Sequence, residues 1–335
     1  MQYLIPSTLW YNKEVVSLTD YFTGRFIDRT GKTNHGFETE ILRPLLQSMP
    51  KDPGDFPTCM DIVAKDLKKK QGDLDIPVAL LWSGGWDSTA VACAMIKNEV
   101  PFKVIYAESS IMENETFFKD VIEPSIPHEL HPHPLYWLHH HGPDHIVVTG
   151  ECGAQMMGTI SFRKILVHMN TDFHDIGGGV DDEFTPFMSN PEPLYRWPDN
   201  LKDLVYHALD YYPGTFKSNY DAMWWITFVF KWQTIQFRME MFSGKIQPHM
   251  YHWFMNDTFE AWTYNNDSSV KCPDFKWENY KLPLKDYIYN YTNNDCVYTL
   301  NKYASMQLPQ PEIRYGVYQN RYVYRDEGGE IRVGC

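Results

Sequence analysis

The stretch Ser83–Ser88, with the sequence SGGWDS, constrains the fold of this chain more than any other. It directly follows an apolar run, Pro77–Trp82, that is short and sharply bounded, as buried parallel strands are. A helix-like segment rich in small apolar residues, Ser88–Asn98, comes next. The order strand, glycine turn and helix collects backbone N–H groups and the positive end of a helix dipole at one point. The stretch therefore predicts an anion site that a phosphate fits.

The residue types of this loop suit the phosphates of a nucleotide. Gly84 and Gly85 tolerate positive φ and let a phosphate approach the main chain. Ser83 and Ser88 add hydroxyl donors, and the carboxylate of Asp87 is suited to hold Mg²⁺ against phosphate oxygens. The alternative is an ordinary glycine turn in an α/β domain, which two adjacent glycines alone would favour. The full string between a strand and a helix favours the nucleotide site.

The loop resembles the signature loop of the PP-loop family, the ATP pyrophosphatases. The resemblance implies cleavage of ATP between the α and β phosphates, with AMP left on the substrate and pyrophosphate released. A Walker A loop is a different structure, and its string GxxxxGK[ST] does not occur in this sequence.

Two further predicted strands place the loop in a sheet. Phe102–Ala107 and His145–Val148 read as strands, and an acidic segment, Ile111–Ile122, reads as helical. Strands that alternate with helices predict a parallel sheet with ligands at the carboxyl ends of its strands. The three strand ends, Trp82–Ser83, Ala107–Glu108 and Thr149–Gly150, should converge on one cleft. The predicted fold class is α/β, a Rossmann-like parallel-sheet PP-loop domain with a helical C-terminal part.

A second motif, TGECGAQMMG at Thr149–Gly158, lies at the third of these strand ends. It resembles the SGEGADELFG segment of asparagine synthetase C-terminal domains and of β-lactam synthetase. The resemblance implies that Thr149 and Gly150 contact the nucleotide and that Glu151 handles the proton of the attacking nitrogen. The alternative for Glu151 is a carboxylate that caps the predicted helix Cys152–Phe162 through the helix dipole.

The second motif also departs from the family pattern. Ala154 and Gln155 stand where the family has Asp and Glu, and that Asp shares Mg²⁺ with the loop carboxylate matched by Asp87. Either Asp87, phosphates and water hold the ion, or another acid replaces the lost ligand. The acidic run Asp181–Glu183 is a candidate, although a solvated turn is the simpler interpretation.

The C-terminal half resembles the family more sparsely. Within the predicted helical region Leu201–Glu240, aromatic residues recur at helical spacing: Trp224, Trp225, Phe228 and Trp232. This spacing predicts that they belong to the hydrophobic core. Asn256–Asp257 would lie near the substrate, or Asp257 would cap a helix. Segments Lys281–Ile288 and Thr299–Tyr303 resemble the family's KxxLR helix and the RxK segment behind it. That match implies that Lys302 binds the leaving pyrophosphate; the alternative is a surface lysine.

Seven histidines lie among residues 128–145, but neither the spacing of His131 and His133 nor the triplet His139–His141 puts two ligands on one helix face at i and i+4, as a helical metal site would. We therefore expect them to be exposed loop histidines. The six cysteines are scattered without a CxxC pair, as in proteins with reduced thiols.

The chain is acidic, with 30 Lys and Arg against 43 Asp and Glu, a formal net charge of −13. This balance favours a small-molecule substrate over nucleic acid. Met1–Trp10 lacks the basic region of a secretion signal, and the longest strongly apolar run, Trp224–Phe230, is too short for a bilayer. The sequence predicts a soluble, cytoplasmic protein without a membrane partner.

The predicted organisation has three parts. Residues 1–75 form a leader with helices at Phe37–Ser48 and Cys59–Lys70, and without a glutaminase domain, because the chain begins Met1–Gln2 where such a domain needs a cysteine. Residues 76–305 form the synthetase-like domain. Residues 306–335 form an extended tail that ends in a hairpin around Glu327–Glu330.

Taken together, the resemblance implies an ATP-dependent C–N ligase that adenylates a small carboxylate, with ATP and Mg²⁺ as cofactors. The nitrogen would come from ammonia, from an amine or from a separate subunit. A nucleobase- or tRNA-modifying PP-loop enzyme and a non-catalytic ATP-binding relative are the alternatives. The expected catalytic residues are Glu151 and Lys302, the expected metal ligand is Asp87, and the expected ATP and pyrophosphate contacts are Trp82, Ser83, Gly84, Gly85, Asp87, Ser88, Ala107, Thr149 and Gly150.

Overall fold

The computed structural model describes residues 2–5, 27–32, 39–158, 206–275, 279–300 and 322–334. Its strands, in chain order, are β1 (Gln2–Ile5), β2 (Val78–Leu81), β3 (Lys103–Tyr106), β4 (His128–Leu130), β5 (Ile146–Thr149), β6 (Met250–His252), β7 (Tyr322–Arg325) and β8 (Ile331–Gly334). Among its helices are α1 (Phe56–Leu74), α2 (Trp86–Lys97), α3 (Glu108–Glu113), α4 (Pro134–His141), α5 (Gly153–Met157), α6 (Asn219–Gln236), α7 (Arg238–Ser243), α8 (Asp257–Asn265), α9 (Ser268–Lys271) and α10 (Leu282–Thr292). Further helical turns cover Glu115–Phe117, the π-helix Phe118–Ile122, Glu123–Ser125, Gly142–Asp144, Pro273–Phe275 and Asp295–Tyr298.

Five strands form a parallel sheet in the order β4-β3-β2-β5-β6. The chain runs outward from β2 through β3 to β4, and then returns to the other side of β2 with β5 and β6. This reversal makes the gap between β2 and β5 a topological switch point, where parallel sheets bind ligands beyond the strand ends. The expectation of an α/β fold with a Rossmann-like parallel sheet is confirmed.

The core lies between this sheet and the helices around it. Strands β2 and β5 are buried along their whole length, because helices cover both faces of a parallel sheet. Helix α6 is capped by Ser218, whose hydroxyl accepts a hydrogen bond from the amide of Asp221. The four aromatic residues predicted for the core are fully buried on α6, as expected: Trp224, Trp225, Phe228 and Trp232.

The first predicted helix of the leader, Phe37–Ser48, is wrong over its described part, since residues 39–48 carry no helix. Pro44 lies in this stretch, lacks an amide donor and disfavours helical geometry at the residue before it. Backbone groups are satisfied elsewhere: the amide of Leu42 donates to the side chain of Gln233, and that of Leu46 to the hydroxyl of Tyr264. The second predicted helix is confirmed as the longer α1.

The N-terminal strand and the C-terminal hairpin form a second, antiparallel sheet in the order β1-β7-β8. The turn of the hairpin is closed by the amide of Asp326, which donates to the carbonyl of Glu330 at 2.9 Å. The expected hairpin around Glu327–Glu330 is therefore confirmed.

Two predictions in the middle of the chain need correction. The histidine-rich segment is not only loop, because His128 begins β4 and the triplet His139–His141 ends α4. The predicted helix Ile111–Ile122 is broken at Asn114, whose side chain accepts a hydrogen bond from the amide of Phe117 and restarts the helix. Within the described ranges, no helix combines the length and the apolar character needed to cross a bilayer.

Candidate functional site

The loop Ser83–Ser88 lies at the carboxyl end of β2 and turns directly into α2. Gly84 has φ +81°, and a Cβ there would lie 2.2 Å from the carbonyl oxygen of Ser110. Only glycine fits this position. The first intrahelical bond runs from the amide of Thr89 to the carbonyl of Gly85, at 3.0 Å. The amides of the preceding turn therefore lie at the N-terminus of a twelve-residue helix, the end that attracts anions.

The two serine hydroxyls of the loop contact each other. Ser83 Oγ and Ser88 Oγ are 3.0 Å apart, and the amide of Ser83 donates to Ser88 Oγ at 3.1 Å. Ser88 Oγ also donates to the carbonyl of Gly85 at 3.2 Å. These hydroxyls hold the loop in its curved shape, and each is a hydrogen-bond donor that can rotate towards a bound anion.

The two tryptophans of this region are structural supports. The indole N–H of Trp82 donates to Thr89 Oγ1 at 3.1 Å, and its ring packs on Phe118. The indole N–H of Trp86 donates to the carbonyl of Val297 at 2.8 Å. Both rings are buried. Trp82, predicted as an ATP contact, thus has its side chain in the core, and Trp86 fastens α2 to the C-terminal part of the chain.

The second motif packs against the first. A Cβ on Gly150 would lie 2.7 Å from the amide nitrogen of Ser88, and one on Gly153 would lie 2.0 Å from Oδ1 of Asp87. Both glycines are needed because the two loops are in direct contact. The structure therefore brings together the loop residues predicted to bind ATP and the predicted contacts Thr149 and Gly150, at the switch point between β2 and β5.

The third strand end forms another wall of the cleft. Ala107 follows β3, and its amide donates to the hydroxyl of Ser110 at 3.3 Å. The carbonyl of Ser110 is the group that excludes a side chain at Gly84. One turn further, the buried carboxylate of Glu113 approaches Gly85, where a Cβ would lie 3.0 Å from Glu113 Oε1. Glu113 could not be identified from the sequence, since an acidic helix gives no sign of which of its residues faces inward.

Asp87 forms an ion pair with Lys281. The ammonium nitrogen lies 2.6 Å from Oδ2 and 2.9 Å from Oδ1 of the carboxylate. Lys281 is buried, with 4% of its side chain exposed, whereas 28% of the Asp87 side chain is exposed. Lys281 immediately precedes α10 and has φ +58°. Lys281 begins the segment that resembles the KxxLR helix, but it was not among the residues predicted for the site.

This donor set does not fit a resident Mg²⁺ ion. Both oxygens of Asp87 face an ammonium group, the methyl side chain of Ala154 offers no ligand, and Gln155 is buried. Among the residues that the structure describes, no three His, Cys, Asp or Glu side chains form a metal-binding group. The role of Asp87 as a metal ligand stays a prediction that these donors do not support.

Glu151 is held by Arg238 at the carboxyl end of β5. Arg238 Nη2 donates to Glu151 Oε1 at 2.6 Å, and 10% of the Glu151 side chain is exposed. The alternative role of helix cap does not fit, because α5 starts at Gly153 and the residue before it, Cys152, makes no side-chain cap. The site thus contains a carboxylate fixed beside the loop. Arg238 lies near the end of the predicted helical region Leu201–Glu240, and its contact with Glu151 could not be inferred without the fold.

A hydrogen-bonded chain fixes the hydroxyl of Thr149. His252 on β6 lies with Nε2 2.7 Å from the carbonyl of Gln236, so Nε2 carries the proton and Nδ1 accepts from Thr149 Oγ1 at 2.8 Å. The amide of Glu151 donates to the same Thr149 oxygen at 3.3 Å. Burial lowers the pKa of His252, which favours the neutral form of the ring. His252 was missed because β6 is too short to show a strand pattern.

Other predicted residues lie apart from the cleft or outside the described residues. Asn256, not Asp257, caps α8, because its side chain accepts from the amide of Phe259 at 3.0 Å. Asp257 pairs with Arg43. Lys302 and the acidic run Asp181–Glu183 lie outside the described residues.

The sequence was also compared with models of protein families and with curated proteins. No family model matches it, and the comparison with curated proteins finds no match.

Proposed function

We propose that this chain is an ATP-dependent C–N ligase that adenylates a small carboxylate, releases pyrophosphate and then forms an amide with loss of AMP. The observation that carries the proposal is the contact between the two motifs. Loop Ser83–Ser88 and loop Thr149–Gly153 touch at the switch point through Gly150 and Gly153, neither of which has room for a side chain. Switch points of parallel sheets are ligand sites.

In this proposal the first loop binds the β and γ phosphates of ATP. The N-terminus of α2 attracts their charge, Ser83 and Ser88 rotate their hydroxyls towards the phosphate oxygens, and Lys281 supplies a cation beside Asp87. The α-phosphorus then faces the second loop. A substrate carboxylate attacks it, the bond to the β-phosphate bridging oxygen breaks, and pyrophosphate leaves with that electron pair.

Glu151 serves the second step. An amine or ammonia attacks the acyl carbon of the acyl-adenylate, its proton passes to the carboxylate of Glu151, and AMP leaves. Arg238 positions this carboxylate through its 2.6 Å contact. Thr149, fixed by His252, positions the strand end from which Glu151 projects. General base catalysis by such a group contributes about 10² to 10⁴ in rate.

One observation favours a second candidate, a non-catalytic protein that binds ATP. Asp87 is neutralised by Lys281, and Ala154 leaves the second metal position without a carboxylate. A protein with this arrangement would bind ATP and form no pyrophosphate.

The test is to incubate the protein with ATP, ammonium and a panel of small carboxylates that begins with aspartate. The ligase proposal requires pyrophosphate and AMP in equal amounts. Release of ADP and phosphate would contradict it, and ATP binding without products for any carboxylate would favour the second candidate.

Glu151→Gln separates the two steps. This variant should retain the exchange of labelled pyrophosphate into ATP and lose amide formation by about 10²-fold or more. The matched control is Glu40→Gln, which removes an equivalent charge from the Arg325–Glu40 pair on the antiparallel sheet. A Glu151→Gln variant with unchanged amide formation would exclude Glu151 as the base.

A further inference from the structure

The ion pair between Asp87 and Lys281 determines which cation, an ammonium group or a divalent metal ion, can neutralise bound phosphates. One ammonium group reaches both oxygens of the carboxylate, at 2.6 and 2.9 Å. A divalent ion bound to Asp87 would have to displace this ammonium group or lie beside it. Two cations on one carboxylate repel each other strongly at such distances. The pair therefore competes with a metal for Asp87.

The surroundings hold the pair in place. Gly153 lies so close to Asp87 that a Cβ would come 2.0 Å from Oδ1, which fixes the carboxylate against the second loop. Lys281 is buried, and its backbone is set by the start of α10. An ammonium group that is desolvated on its stem side and faces a partly exposed carboxylate is preorganised to accept further negative charge from the exposed side.

Helix α10 brings a second lysine to the same end of α2. The ammonium nitrogen of Lys285 lies 4.3 Å from the centre of the Trp86 ring, one residue before Asp87. Lys285 is fully buried. The carboxylate of Glu113 approaches Gly85 in the same loop. Two ammonium groups, those of Lys281 and Lys285, thus lie next to Asp87 and Trp86 at the N-terminus of α2.

We propose that Lys281 takes the place of a protein-bound Mg²⁺ ion, so that this site binds the pyrophosphate group without a divalent cation. Asp87 then holds the ammonium group in the site before the anion arrives. The inference rests on the proposed function, because it concerns the pyrophosphate end of ATP. It differs from that function in a measurable way, since a ligase of the expected family pattern would need the metal for binding.

Titration calorimetry with inorganic pyrophosphate tests the inference on the full chain, once with MgCl₂ and once with EDTA. We expect the wild-type dissociation constants in the two buffers to agree within about 3-fold. Lys281→Met should weaken binding by 10-fold or more in both buffers, and Lys281→Arg should recover part of the loss because it keeps the charge. Binding that is 10-fold weaker in EDTA than in MgCl₂ would overturn the inference.

Asp87→Asn should change pyrophosphate affinity in opposite directions, depending on whether Asp87 holds Lys281 or a metal ion. Asn keeps one oxygen for the lysine and removes a negative charge beside the phosphates, so we expect pyrophosphate to bind 2- to 10-fold tighter in EDTA. If Asp87 were a metal ligand, the same variant would bind pyrophosphate at least 10-fold more weakly than the wild type in MgCl₂. This result would overturn the inference.

The matched control is Lys69→Met, which removes a lysine from the exposed Lys69–Asp73 pair on α1 and should leave affinity unchanged. Thermal unfolding of each variant identifies any that fails to fold. If Lys281→Met is unstable, the pyrophosphate affinities of Lys281→Arg and Asp87→Asn still decide the test. Binding that needs Mg²⁺ would overturn the inference and leave the ligase proposal intact. Failure of the wild type to bind ATP or pyrophosphate in either buffer would overturn both.

Discussion

Two ion pairs of this chain differ in how completely their charges are enclosed. Arg29 and Glu260 are both buried, and Arg29 also donates to the carbonyls of Arg43 and Phe228 and stacks over the ring of Phe228. Lys281 is equally buried, but its partner Asp87 is partly exposed in the cleft. Both charges of the first pair are enclosed in the core, where the pair joins distant segments of the chain. The second leaves one side of the carboxylate open, which is where a ligand can reach it.

Removing Arg29 should produce the largest effect. In Arg29→Met, Glu260 keeps a buried charge without its main partner, so we expect the free energy of unfolding to fall by about 3–5 kcal/mol. Urea denaturation measures the loss. Pyrophosphate affinity per folded molecule should stay constant, in contrast to Lys281→Met. A loss below about 1 kcal/mol would show that the core pair contributes little.

Glu240 on α7 is a buried carboxyl group whose hydrogen bonding is incomplete, and it tests how burial alone changes a pKa. Glu240 is buried, and no described residue donates a hydrogen bond to its Oε2. Desolvation raises its pKa from 4.5 to about 8. The folded state therefore binds a proton that the unfolded state has lost, and this contribution to stability is present below pH 4.5 and disappears as the pH rises to about 8.

The comparison of wild type with Glu240→Gln isolates that contribution. We expect the wild type to lose a few kcal/mol relative to the variant between about pH 5 and pH 8, in urea denaturation at several pH values. Parallel stability curves for the two proteins would contradict the shifted pKa.

Gly84→Ala tests the loop itself. The new Cβ would meet the carbonyl of Ser110 at 2.2 Å in a backbone with φ +81°, so we expect a loss of roughly 1–3 kcal/mol and weaker pyrophosphate binding. Gly72→Ala on α1 is the control, because its Cβ meets no atom within 4 Å. That control should gain about 0.5–1 kcal/mol from helix propensity. Equal changes in the free energy of unfolding of Gly84→Ala and Gly72→Ala would contradict the close packing at Gly84.

The smallest effect is expected at Cys152, which has φ +70° in the second loop. The left-handed region suits glycine, and the motif that this loop resembles has glycine there. Cys152→Gly relieves the strain and loses a small buried side chain, so we expect a stability change of less than about 1 kcal/mol and unchanged pyrophosphate binding. A loss above about 2 kcal/mol in thermal or urea unfolding would show that the buried thiol matters more than the strain.

Local patterns in the sequence were sufficient for several elements. The apolar run before Ser83, the glycine turn and the small-residue helix predicted β2, the loop and α2, because each depends on neighbours along the chain. The hairpin at Glu327–Glu330 and the buried aromatic stripe of α6 were predicted for the same reason. Three-residue strands such as β4 and β6 were missed, since so few residues show no period.

The sequence by itself determined the local shape of the loop Ser83–Ser88, because the conformational freedom of Gly84 and the start of α2 are encoded within a few residues. It could not place Lys281 on Asp87, 194 positions away, or Arg238 on Glu151, 87 positions away. Those pairs exist because the order of the parallel strands brings distant loops to one edge of the sheet. The charges that surround the candidate site were therefore decided only by the tertiary structure.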